Sequence, residues 1–191
     1  MSQSHFNYTH KGKSNQNGVI EDIYTFKCSL NVTYIVEVEN HPNDIFILKF
    51  FQKNHRHSKD RYSLTNTRKF LKRKNKSGTE NFLKILNTIL DISLTIYRKN
   101  KKASFGFMGA PTIKELDKNK STKTINNDGT VEETTRFNIY SIYVKRYFSP
   151  KYFIHIEIKS SSCYMLKSVK NTSLNTENIE HFFKQYITDY C

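Results

Sequence analysis

The chain has 191 residues, 37% hydrophobic and 14% aromatic, with a formal charge of +14. That apolar content excludes wholesale disorder and is enough to build a core. No run approaches the ~20 apolar residues needed to cross a bilayer, and Met1–Lys13 is polar with no apolar signal core. A soluble, cytoplasmic protein without a transmembrane segment is therefore expected.

Residues 1–19 are polar and rich in Ser, Asn and Gly, the composition of a flexible N-terminal arm. Residues 20–191 are expected to form a single α/β domain. Ile23–Leu30 and Val32–Val38 alternate apolar and polar residues, the period of half-buried strands. His41-Pro42-Asn43-Asp44 is a turn signal, and the nearly all-apolar Ile45–Phe51 reads as a buried strand. These three make a predicted antiparallel meander.

A basic segment follows. Between Lys49 and Lys76 stand eleven Lys and Arg against Asp60 alone, so these residues carry +10 of the total +14. Codon drift in an AT-rich genome enriches Lys and Asn but does not require them to cluster. A patch this dense attracts polyanions. Ser77 and Glu80 then fit a capping box for a long helix over about Thr79 to Arg98. Its apolar residues recur every three or four positions, and its C-terminal cations suit the helix dipole.

Ala103–Met108 reads as a strand. The polar stretch 114–133, with Asn127-Asp128-Gly129 inside it, predicts a protruding loop or hairpin. Thr134 or Thr135 caps a second helix with Phe137, Tyr140, Tyr143, Val144 and Tyr147 on one face, and Pro150 follows its end. Tyr152–Ile158 and Cys163–Val169 pair across Ser160-Ser161-Ser162, and Thr176 starts a last helix. The expected class is α+β: an antiparallel sheet in the order βββ-α-β-α-ββ-α, with helices packed mainly on one face. Cys28, Cys163 and Cys191 are widely spaced without a C-x-x-C, which reads as reduced thiols rather than a disulfide framework or zinc ribbon.

Leu64-Thr65-Asn66, Ser104-Phe105-Gly106-Phe107-Met108-Gly109, and Thr135-Arg136-Phe137 with Tyr140 resemble pieces of a family of small uncharacterised bacterial α/β proteins. The resemblance covers about half the chain. It implies fold boundaries and, since no activity is established for that family, nothing catalytic.

Four groups of residues carry candidate chemistry. In the first, Arg56, Lys59, Arg61, Arg68, Lys69, Lys72, Arg73 and Lys74 would contact phosphates, with Arg136, Lys145 and Arg146 added from the second helix. Tyr62 and Phe70 would stack on bases. A solvated surface explains the same charges without a ligand. The absence of helix-turn-helix, zinc-finger and RNP signatures points to sequence-tolerant binding, in a component of a larger assembly.

The second group is Glu157-x-Lys159 with His155 on a predicted strand. A carboxylate and an amine on one face can serve a Mg²⁺-dependent nuclease of the PD-(D/E)xK kind, acting on foreign DNA or RNA. That site needs another acid on a neighbouring strand, and Asp128, the nearest upstream, is separated by a predicted helix. Otherwise no cofactor is implied. The third is His55 and His57, two apart, a candidate metal pair without a Cys or carboxylate at ligand spacing. The fourth is Gly106-x-x-Gly109, which lacks the Lys-Ser/Thr of a phosphate-binding loop and reads as packing and turn glycines. Nucleic-acid binding leads. A nuclease and an interaction subunit docked on an acidic protein partner are the alternatives.

Overall fold

Among the described residues, stretches of period two and period 3.6 condense into seven strands, mostly antiparallel, and four α-helices. The structure is a computed structural model and describes residues 4–16, 18–63, 78–117 and 122–190. The class is α+β. The chain divides into two compact units, the described parts of 1–41 with 47–100, and of 42–46 with 101–191.

The first unit is built on strands β1 (Tyr8–Gln16), β2 (Val19–Lys27), β3 (Thr33–His41) and β4 (Ile45–Gln52), side by side in that order. β4 takes its first two residues from the second unit. Residues 1–19 are thus not simply an arm. Tyr8–Gln16 pairs antiparallel with β2 from Tyr8↔Phe26 to Gln16↔Val19, across a turn where Gly18 takes φ 82°. Composition misleads here because main-chain pairing, not apolar content, places this strand. Its side chains then find partners: Tyr8 packs edge-on to Tyr24 and donates to Asp91 Oδ2 at 2.9 Å. A bulge between His10 and Gly12, with Gly12 at φ 121°, resets the alternation.

β2 and β3 pair antiparallel, with Glu21 opposite Glu39 and Phe26 opposite Tyr34. The alternation gives this sheet two distinct faces. One carries Phe26, Tyr34, Val36 and Val38, all buried, with Phe6 and Tyr34 stacked on Phe26. Helix α1 (Gly78–Lys99) buries Ile85, Leu86, Leu90 and Ile92, each contributing roughly 1.5–3 kcal/mol. Polar residues in that helix fix its seat. Thr88 Oγ1 accepts the Phe6 N–H, and Asn81 Oδ1 accepts the Ser29 N–H. Arg98 and Lys99 lie in its last turn. The expected cap Ser77 lies outside the described residues.

The second unit contains β5 (Ser104–Met108), α2 (Ile113–Leu116), α3 (Thr135–Tyr147), β6 (Phe153–Ile158), β7 (Cys163–Ser168) and α4 (Thr176–Tyr190). Its strands lie in the order β5-β7-β6, antiparallel throughout. Tyr164, Phe105, Phe137, Met165, Ile179 and Phe183 form its core, with less than 3% of each exposed. Asn171 is wholly buried and donates to the carbonyls of Asn43 and Lys102. Cys28 and Cys163 are buried thiols, and Cys191 lies outside the described residues.

Among the described residues, β1 and α2 are additions to the order read in the sequence. The stretch 114–133 begins inside α2 and closes through an Ile125↔Val131 bridge, where Thr130 and Val131 are buried. Its far end therefore closes as a hairpin-like turn. Residues 118–121 lie outside the description. No helix among the described residues is long and apolar enough to cross a membrane.

Candidate functional site

The basic segment begins where β4 ends. Lys53–His55 form a 3-10 turn, and the amides of Arg56, Ser58, Arg61 and Ser63 each bond to the carbonyl three residues back. Successive tight turns leave Lys53, Arg56, His57 and Lys59 exposed, with His55 half-buried. Among the described residues, Lys53, Arg56 and Lys59 form no ion pair. Lys53 and Asn54 join Asn31, Val32 and Thr33 around an open groove of about 500 Å³. Arg68, Lys69, Phe70, Lys72, Arg73 and Lys74 lie outside the described residues, as does Leu64-Thr65-Asn66.

The two ends of the described segment behave differently. Lys49 is ion-paired with Glu39, whose side chain is 3% exposed. Arg61 lies over the rings of Phe51 and Tyr62, at 5.2 and 4.8 Å from their centroids. Its Nη2 donates to Tyr62 Oη at 2.9 Å, and that hydroxyl donates to Glu37 Oε2 at 3.4 Å. Tyr62 packs edge-on to Phe51. Arg61 and Tyr62, expected on a phosphate and a base, are both engaged with the protein itself in this structure.

What engages them is an ionic face on the side of the sheet opposite Val36 and Val38. Glu37, Glu39 and His41 follow one another at every second position of β3, and Glu21 faces Glu39 from β2. All four are less than 9% exposed. His41 Nε2 lies 3.2 Å from Glu39 Oε2, and Ser14 donates to Glu21 at 3.1 Å. Three carboxylates thus meet two permanent cations, Lys49 and Arg61. Burial, then the nearby charge of Glu21, pushes the Glu37 carboxyl up from its ordinary 4.5. Burial, then the Glu37 charge, pushes the Tyr62 phenol well above 10. Glu21, Glu37 and Glu39 belong to none of the groups expected from the sequence to carry chemistry. The signal was available: acids at i and i+2 and His at i+4 on a strand whose other face is apolar.

In the second unit the Glu157-x-Lys159 pair is split. β6 ends at Ile158, so Lys159 starts a 3-10 turn and strand alternation no longer aligns the two side chains. Glu157 pairs with Lys145, while Lys159 pairs with Glu133 at 2.9 Å. His155 has both ring nitrogens occupied. Nε2 faces the Phe148 carbonyl at 2.8 Å, so it carries the proton, and Nδ1 accepts from Tyr164 Oη at 2.7 Å in the neutral ring. Both ring nitrogens are thus taken up by Phe148 and Tyr164 rather than by Glu157. Asp128 bonds to Thr130 within its own turn.

Arg136 donates to the carbonyls of Ala110 and Pro111, and Arg146 lies 5.7 Å from the Tyr147 ring centre. With Lys145 on Glu157, all three added cations have neighbours within the fold. Gly109 is a close-approach residue rather than a turn glycine: a Cβ there would lie 2.5 Å from Phe137 N and from Thr134 Oγ1. No group of three or more His, Cys, Asp or Glu among the described residues is arranged to hold a metal ion, so His55 and His57 gain no third ligand there.

One carboxylate in this unit organises two helix ends. Glu115 closes a capping box with Thr112, whose N–H and hydroxyl both donate to Oε2 at 2.8 Å. Oε1 accepts the N–H and hydroxyl of Thr135 at 2.8 and 2.9 Å, at the start of α3. Burial opposes the charge. The four hydrogen bonds outweigh it and hold the carboxyl down at about 2.

No family model matches the chain, and neither a curated protein nor a solved structure shows significant similarity to it.

Proposed function

We propose that this protein binds nucleic acid without strong sequence preference, through the cationic turn after β4 and the basic sequence that continues from it. The single observation supporting this is the exposed trio Lys53, Arg56 and Lys59, which carries no ion pair among the described residues. Unpaired surface cations gain by replacing the counterions condensed on a phosphodiester chain, and that gain has a defined salt dependence. Asn31 and Asn54 line the groove beside Lys53, next to the charge. With about six to eight phosphate contacts, log K for a mixed-sequence oligonucleotide should fall with log[salt] at a slope near −5 to −7. Replacing Lys53, Arg56 and Lys59 together by Ala should reduce that slope by about two to three. Parallel titrations with DNA and RNA oligonucleotides distinguish the two sources of phosphate chain. Salt-insensitive or absent binding to both defeats the proposal, and co-purification with an acidic protein instead would favour a docking subunit.

A further inference from the structure

We infer that Glu37, Tyr62 and Arg61 form an intramolecular latch that withholds one cation of the basic segment from its ligand. This rests on the nucleic-acid reading above and adds a means of regulating it. Arg61 would be the next phosphate contact after Lys59. Instead its guanidinium lies over the rings of Phe51 and Tyr62, and Tyr62 reaches Glu37 on the buried ionic face. That face has a reason to hold a cation: Glu21 from β2 and Glu37 and Glu39 from β3 lie together, with Lys49 from β4 committed to Glu39 and His41 beside it. Among the described residues, Arg61 is the second permanent charge beside the three. A phosphate chain and the Glu37 side of the sheet thus compete for the same guanidinium. Neutralising Glu37, or breaking the Tyr62 link, shifts Arg61 toward the phosphate chain.

Two readouts test this. Hydrogen exchange at the Arg61 and Ser63 amides, which bond to Ser58 and Asp60, reports the latch directly. It should quicken several-fold in Glu37→Gln and in Tyr62→Phe, the latter keeping the ring on Phe51. Binding of a labelled single-stranded oligonucleotide should tighten about three- to tenfold in Glu37→Gln, and the salt slope should steepen by close to one contact. Adding Arg61→Ala to Glu37→Gln should return the slope to that of the unmodified protein. Unchanged exchange in both variants overturns the latch whether or not the oligonucleotide binds. Faster exchange with an unchanged slope overturns the withholding of Arg61. Faster exchange with no binding by any variant, the unmodified protein included, overturns the nucleic-acid reading and the latch's role with it.

Discussion

Glu37 and Glu115 are both buried carboxylates, yet their surroundings drive them in opposite directions. Glu115 receives four hydrogen bonds from two threonines and stays ionised down to about pH 2. Glu37 sits beside Glu21 and Glu39 with one long hydrogen bond from Tyr62, and it takes up a proton above the ordinary range. Burial penalises the charge at both sites. The difference is the number of donors aimed at the oxygens, which makes Glu115 a clamp between two helices and leaves Glu37 poised to change state.

The largest effect is expected at Glu115. Glu115→Ala leaves the Thr112 and Thr135 amides without their acceptor, and urea denaturation should register a loss on the order of 2–4 kcal/mol. Stability unchanged within error would mean that water satisfies those amides equally well.

Acid titration separates the two carboxylates by sign. A folded-state pKa below the unfolded value gives stability that is present above about 4.5 and lost as pH falls toward 2. Glu115→Gln should therefore flatten the acid limb of a stability–pH curve. Glu37 works the other way. The folded protein takes up its proton first, so this group costs stability at high pH, and the cost disappears as pH falls through its raised value. Glu37→Gln at neutral pH should leave stability equal or higher, within about 1 kcal/mol. A loss as large as that of Glu115→Ala would mean that the Glu37 charge is fully compensated by Arg61 and Lys49.

The smallest effect is expected where an ion pair lies in open solvent. Lys159→Ala removes the partner of Glu133 at a fully exposed position, and thermal denaturation should show no shift outside error. A clear shift there would show that the turn after β6 depends on that pair.

Much of the secondary structure was legible in the residues. The apolar run of Ile45–Phe51, the alternation in Tyr152–Ile158, the three- and four-residue spacing of the long helix, and Thr134 as the cap of α3 all have local causes that tertiary contacts reinforce. β1 was not legible, because Tyr8–Gln16 owes its conformation to pairing with β2 and to Gly18 rather than to apolar content. The candidate site divides in the same way. Lys53, Arg56 and Lys59 are exposed as their polarity implied, whereas Arg61 and Tyr62, of the same composition class a few residues on, are drawn inward.

Charge total, strand and helix periods and the clustering of cations belong to the linear order of residues, since each depends only on residue type and short-range spacing. Which of the described cations stay exposed was settled by folding. Strand register sets Glu21 opposite Glu39 and stacks Glu37, Glu39 and His41 on one face, and electrostatic attraction falls off with a distance that sequence separation does not measure.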